Sequence, residues 1–554
     1  MKAAWALAAA ITLVPGFTSA DPETPALTHI CGVATPAPDA KPAQAILTGY
    51  GSGGFAVRTS LPAAQAYFDN GMQLAHAFAH KPATQAFKEA VKLDPNCAMC
   101  VWGEAWSRGP TINYPIDDKE QATLAALADR AATLARGGPA KELRLAAALQ
   151  KRYRNGGGKG AGDYAFARAM DDLARDYSDD NEIAVIAADA WMIPAAQKEN
   201  RENLPRALAL LGGALTRKPA DTGAIHFYIH ATEMDGIGGQ AEAYADTLQR
   251  LAPSASHLTH MPSHTWYIVG RYEDAVKANL AATRLDANNA VRQGLGDPWK
   301  LTYHAHNVQF AMGAALMSGD GAAALAQSDA ALEHARSNKH LNGFGEFVGA
   351  TALFAQARFA APDHTLAIAD PGSAAPVMRA MWRYARGEAY ARLGDAAAVR
   401  REAAEIRPVA GSDLKGFEDY APQAQAMLDV ARLVLSGRAD MIEGKPAAAA
   451  EAFRVAAAIQ DARLSRLSDP PGWWYPIRRS YAAALLAAGK TDLAAAQARL
   501  TLKAWPRDPV TLAVLAQAER KQGDGQAADL HLAQAQRGWF GAAKLAVAAR
   551  LPAA

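Results

Sequence analysis

Small residues recur along this chain at an interval longer than any single helical turn would impose. Ala207, Ala241 and Ala275 are spaced by 34 residues, as are Pro219 and Pro253, and further on Gly489 and Gly523. Strong helix formers dominate most windows between these marks. Long alternating runs of β-branched residues are absent, so the chain reads as all-α. Each interval is then a pair of helices. Small residues let the two approach closely, an aromatic fills the gap, and a proline ends the second helix. In the first convincing pair, about 64–95, Gly71, Ala83, Phe87, Ala90 and Pro95 take these places.

Thirty-four residues is the length of the tetratricopeptide (TPR) repeat, a helix–turn–helix unit. Three gapless units are expected near 188–221, 222–255 and 256–289. Further units are marked by Gly319 and Ala324, by Gly387, Tyr390 and Gly394, and by Gly444, Ala449, Phe453 and Ala456. Roughly eight to eleven helix pairs would stack into a right-handed superhelix, an α-solenoid whose inner wall is made by the first helix of each pair. The expected layout is an irregular arm over 21–60, an N-terminal array over 61–361, a Pro/Gly/Ala-rich linker over 362–377 and a C-terminal array over 378–554. The Gly156–Gly162 loop is not a phosphate-binding loop, because no strand precedes it and no Lys-Ser/Thr pair ends it.

Composition narrows the function classes. A formal net charge of +2 and the lack of an Arg/Lys stripe leave no cationic field for nucleic acid. Residues 1–20 combine Met1-Lys2, an uncharged run from Ala3 to Val14 and a small-residue ending, Thr18-Ser19-Ala20. That pattern predicts a secretory signal peptide cut after Ala20. The run is too short for a membrane span, so the expected location is periplasmic or secreted. Of the three cysteines, Cys31, Cys97 and Cys100, two are expected to pair in an oxidising compartment. Cys97-x-x-Cys100 reads equally as a redox pair at a helix start, a soft metal site or half of a bridge to Cys31.

Histidines concentrate in two adjacent units. His226 and His230 are four residues apart, His260 and His264 are four apart, and the second pair follows the first by 34. A spacing of four puts two side chains on one helix face. The repeat offset then puts the second pair on the equivalent face of the neighbouring unit. His226, His230 and Glu233, and His257, His260 and His264, all fall on groove-facing positions of the repeat, with His306 groove-facing further on and His304 just ahead of it. Neutral imidazoles suit Cu, Zn or Fe, with Glu233 as ligand or as a catalytic base beside a bound water. Two plainer readings stand beside this one: a polar groove for a peptide or protein partner, and structural histidines. Pro262 complicates the register, because a helix starting there would leave His257 and His260 on a loop. Near the C-terminus, Trp474, Tyr475 and Arg478 read either as packing at a helix start or as a ligand wall offering a guanidinium to an anion.

The chain resembles exported bacterial TPR proteins that share D-P-x-C-A-M-x-x-W-G, H-x-x-x-H-x-x-E, H-x-x-H-M-P-S-H, an H-N pair and W-Y-x-P-[IV]-R. Here these are Asp94–Gly103, His226–Glu233, His257–His264, His306-Asn307 and Trp474–Arg478. The resemblance implies the fold and the histidine site, and no particular reaction. Cys100 departs from the group, so a shared cysteine role does not follow. The combined expectation is a TPR protein with a transition-metal centre in its concave groove, as a metal-dependent hydrolase or oxidase. The alternative is a non-enzymatic scaffold with a protein or peptide in that groove.

Overall fold

The computed structural model describes residues 45–154, 160–198, 201–338, 341–465, 469–542 and 545. The expected signal peptide, Cys31 and most of the Gly156–Gly162 loop lie outside them. Among the described residues the chain forms 25 α-helices linked by short turns, stacked as antiparallel hairpins in a TPR-type solenoid. None is long and apolar enough to cross a membrane. The predicted three-unit stretch appears as Asn181–Lys198 with Leu204–Arg217, Thr222–Met234 with Glu242–Leu251, and the pair Ser256–His260 and Pro262–Val269 with Tyr272–Arg292. The 362–377 stretch is not wholly loop: it holds a short helix, Pro362–Ala367, and the next helix starts at Pro376.

The repeat residues work by close approach. The buried Phe87 ring sits between the helices Pro62–His76 and Ala98–Ser107. A Cβ at Gly71 would stand 2.7 Å from it and one at Gly103 would stand 2.3 Å away, so both positions must be glycine. Gly437 has the same relation to Phe453, at 2.7 Å. The array is therefore held by small-to-aromatic contacts renewed at each repeat, and its stability is close to a sum of neighbouring interfaces.

Two features depart from a simple solenoid. The segment from residue 45 to 60 is irregular, as expected, yet it is strapped across the starts of several inner helices. Leu47 and Asn70 exchange two hydrogen bonds of 3.0 and 2.7 Å, Ser52 N–H donates to Thr222 Oγ1 at 2.8 Å, and Ser254 N–H donates to the Gly49 carbonyl at 2.9 Å. The two predicted arrays also meet each other. Pro470 packs on the helix of Gly313, Trp505 lies 6.2 Å from the Tyr267 ring, and Phe540 N–H donates to the Ser318 carbonyl at 2.8 Å. The C-terminal array thus covers the histidines from one side, with Asp469 beside His264 and His306, while the strap holds Thr222 and Ser254 just ahead of the two histidine-bearing segments. The expected open groove is absent there, and the histidines are core residues.

Candidate metal centre

Three helical segments and one loop build the site. Asp221 caps the first helix, Thr222–Met234, accepting from Ala224 N–H at 3.2 Å. This helix presents His226, His230 and Glu233. The second segment corrects the expectation drawn from Pro262. Ser256–His260 is already helical, Met261 keeps helical angles (φ −50°, ψ −38°), and Pro262 takes the first position of the following helix, Pro262–Val269. Proline is tolerated at the first position of a helix, where its fixed φ suits the start. His257, His260 and His264 therefore lie on one continuous helical path. That path stops at Gly270, whose φ of +78° a side-chain-bearing residue adopts only with strain. The third helix, His304–Ser318, brings His306, and the loop from the C-terminal array brings Asp469.

Six imidazoles meet in one buried cluster. His226, His230, His257, His260, His264 and His306 are each at most 6% exposed. They divide into two groups, His226/His230/His257 and His260/His264/His306, and in each group one ring nitrogen per residue lies within 4.8 Å of the others. His226 Nε2 faces His257 Nε2 at 3.1 Å and His260 Nε2 faces His264 Nε2 at 2.8 Å. The groups touch, with 5.6 Å between the ring centres of His230 and His264 and 5.7 Å between those of His257 and His260.

The outer nitrogens settle where the ring protons sit. His226 Nδ1 is 2.7 Å from the His76 carbonyl, which can only accept, so Nδ1 carries the proton. His260 Nδ1 is 2.6 Å from Asn279 Oδ1, and Asn279 spends its own N–H on the Ala275 carbonyl at 2.8 Å. His264 Nδ1 is 2.8 Å from Glu233 Oε2 and 3.2 Å from Asp469 Oδ1. Three rings are thus held by an oxygen on the Nδ1 side, with Nε2 turned inward. That is the arrangement by which surrounding groups orient metal-ligating histidines. His230 Nε2, His257 Nδ1 and both nitrogens of His306 have no hydrogen-bond partner although they are buried. Orphaned polar atoms of this kind are costly unless something satisfies them.

Burial keeps most of these rings neutral. Desolvation, reinforced by neighbouring imidazoles, drives His230, His257 and His260 well below the ordinary value, and His306 likewise with His264 as its neighbour. Desolvation also takes His226 down to about 3. Each therefore offers a lone pair at neutral pH, the form that binds a metal. His264 goes the other way. Desolvation is its largest influence and lowers it, but the summed pull of Asp469 and Glu233 outweighs this and lifts its pKa to about 9.

The donor set fits a transition metal. Two nitrogens each about 2.0–2.1 Å from one ion stand about 3.3–3.6 Å apart at tetrahedral or trigonal angles. The 3.1 and 2.8 Å nitrogen pairs are hydrogen-bond contacts that a few tenths of an ångström of opening would bring to that separation. Apolar rings fill the rest of the shell. The Phe78 and Tyr303 rings lie 5.0 and 4.4 Å from His257, and Phe310 lies 5.0, 4.7 and 5.1 Å from His260, His264 and His306. A cavity of about 610 Å³ reaches His257 from outside, between Phe78, His80, Tyr114 and Tyr303, with Arg292 and Lys300 further out.

The other candidate residues fall elsewhere. His304 stands outside both groups, its Nδ1 3.0 Å from Asp286 Oδ2, which also takes a 2.8 Å hydrogen bond from Asn307. Glu233 is engaged on the outer side of His264 and does not face the inward nitrogens. Cys97 and Cys100 are joined in a disulfide at the start of the helix Ala98–Ser107, and both are fully buried. Trp474 and Tyr475 are buried rings packed on arginines, with the Arg479 guanidinium 4.9 and 4.5 Å from them. Arg478 is held by Asp461 and by Gln497 at 2.8 Å. Sequence reasoning did not single out Asp469, Asn279, Phe310 or Tyr303. Asp469 comes from another array, and its only local mark is the Pro-Pro-Gly turn that follows it.

No protein-family model matches this sequence, and no curated protein does. Among solved structures the chain is similar to a human IFIT1 dimer with PPP-AAAA, at 11% identity over 87% of this chain and 91% of that one, with a TM-score of 0.31. It is similar to yeast Tom70 at 11% identity over 79% and 89%, with a TM-score of 0.24. It is also similar to the TPR domain of P58(IPK) at 11% identity over 86% and 98%, with a TM-score of 0.22. Superpositions this loose assign no function to the chain.

Proposed function

We propose that this chain is an exported TPR-type protein whose buried imidazoles hold transition-metal ions, and that a small ligand reaches them through the cavity at His257. The observation that carries this reading is the inward set of ring nitrogens. Protein oxygens hold the outer sides of His226, His260 and His264, while buried nitrogens of His230, His257 and His306 are left without any partner.

A bound ion of this kind would polarise or redox-activate a ligand, which makes metal-assisted hydrolysis or oxidation the reaction class. The chain's own residues supply the rest. Glu233 and Asp469 orient His264 and carry counter-charge, so Glu233 is assigned a positioning role rather than that of a base. Phe78, Tyr303 and Phe310 exclude water, which strengthens every electrostatic interaction inside. Export to the periplasm rests on the signal-peptide pattern of residues 1–20. The competing reading is a scaffold that takes a peptide end in the cavity at His257.

Metal analysis of the protein expressed from its native sequence without a histidine tag tests this. Stoichiometric metal, lost in the His230→Ala/His264→Ala variant while the helical circular-dichroism signal stays, is the expected result. Protein that is metal-free and stays so after incubation with copper or zinc, yet captures a defined peptide along its inner wall, would establish the scaffold reading instead.

A further inference from the structure

Resting on that metal-centre reading, we propose that the centre is binuclear: one ion in His226/His230/His257, a second in His260/His264/His306, both copper(I). The division into two comes first from geometry. The six rings touch, yet their donor atoms fall into two separate groups of three rather than around one point, and the one other possible group, Glu233/His264/Asp469, uses only His264 of the six. Each group contains one close nitrogen pair, 226 with 257 at 3.1 Å and 260 with 264 at 2.8 Å. One ion held by one such pair leaves the other pair as an imidazole–imidazole hydrogen bond outside its coordination.

The repeat gives the same answer independently. A shift of 34 residues carries His226 onto His260 and His230 onto His264. The correspondence extends to the outer contacts, since His226 and His260 both present an anchored Nδ1, on the His76 carbonyl and on Asn279 Oδ1. The two units therefore give each half-site one repeat-related pair of rings, although the close contact lies inside that pair at 260/264 and with the added ring at 226/257. Each is completed by a third ring from outside the equivalent pair, His257 in one case and His306 in the other.

Charge and donor type select the ion. Neither group contains a carboxylate, and imidazoles suit copper, zinc, iron and nickel better than the oxygen-seeking ions. The carboxylates that reach the cluster are Glu233 and Asp469, both beside His264. Two monovalent ions bring half the charge of two divalent ones into a site with only these two carboxylates beside it. Two divalent ions would leave an uncompensated double charge in a buried, aromatic-lined space, which is expensive. The ion in the first group is the one next to the cavity, because His257 lines that cavity and the second group does not.

The test is anaerobic titration of chelator-stripped full-length protein with copper(I) against a competing chromophoric chelator. Wild type is expected to saturate at two ions per chain. His226→Ala/His257→Ala and His260→Ala/His306→Ala are each expected to retain one. Saturation of wild type at a single ion overturns the binuclear assignment and leaves the metal-centre reading standing, and uptake of no ion overturns both. A double variant that still binds two ions places copper elsewhere and also overturns the assignment. Should the variants not fold, X-ray absorption of copper-saturated wild type decides: about three nitrogen neighbours per copper supports two trigonal sites, and four or more overturns them.

Discussion

Two regions of this molecule bury polar side chains densely, and they do so in opposite ways. In the C-terminal half, around Trp473-Trp474-Tyr475, the buried Arg438 meets Glu388 at 3.1 Å, Glu388 also accepts from Tyr384 at 2.7 Å, and Arg479 meets Asp508 at 2.9 Å. Arg358 joins this group by stacking, its guanidinium 4.7 Å from the Trp474 ring. Acid is set against base, and aromatic faces against guanidinium. The imidazole cluster has no such complement: nitrogens face nitrogens, and buried ring atoms of three histidines have no partner. Burial is common to both regions and does not distinguish them. Donor type does: the arginine region sets cations against carboxylates, a phenol and aromatic faces, even though Arg358 Nε and Nη1, Arg438 Nη1 and Trp473 Nε1 lack hydrogen-bond partners, whereas the imidazole cluster gathers mostly neutral ring nitrogens, the kind that coordinate a metal.

The sharpest break in that comparison is the His230→Ala/His264→Ala variant. Bound metal should fall from stoichiometric to background, read by elemental analysis, while the far-ultraviolet circular dichroism is kept. Loss of the fold with no change in metal would make the cluster structural after all. In the arginine region the outcome should be inverted. Asp508→Ala leaves Arg479 buried without its anion and should cost about 3–5 kcal/mol in a guanidinium unfolding titration, with metal content unchanged.

Glu346 lies between the two extremes. Its carboxylate is buried and accepts from the Val377 and Met378 N–H groups at 2.7 and 3.0 Å. Desolvation, only partly offset by those donors, raises its pKa to about 7. A carboxyl raised on folding is neutral in both states below its unfolded pKa. As pH climbs from about 4.5 to about 7 the unfolded chain releases its proton first, so stability falls across that window, by on the order of 2–3 kcal/mol. Glu346→Gln should flatten this part of the pH–stability profile, and an unchanged profile would remove Glu346 as its source. The smallest effect is expected at Glu233. Glu233→Gln keeps the shape but weakens the anchor on His264, and should lower metal affinity about 10–100-fold with little change in unfolding. A loss of catalytic turnover at unaltered affinity would return Glu233 to the role of a base.

The periodic part of this structure was legible in the sequence because each repeat buries its own marks. Gly71 against Phe87 is a contact within one unit, and the repeat pattern predicts it; Gly437 against Phe453 repeats that contact at a glycine the pattern had not singled out. The histidine pairs at 226/230 and 260/264 were legible for the same reason. The covering of those pairs was not. The Pro470 loop, like the strap at 45–60, arrives from far along the chain with no period, so groove positions of an open solenoid turned out to be core. His304 and His306 show a finer limit. Two residues apart on a helix, they point to different sides, and only the placement of Asp286 reveals that one is paired inside the protein while the other joins the cluster. Pro262 looked like a break, yet the backbone is helical on both sides of it.

Anomalous diffraction from copper-loaded crystals, collected at the copper edge, tests the central claim most directly. The account predicts two peaks, one within bonding distance of His226, His230 and His257 and one within bonding distance of His260, His264 and His306. A map with no peak among the six rings, from protein shown to be folded and exposed to excess copper, would contradict it.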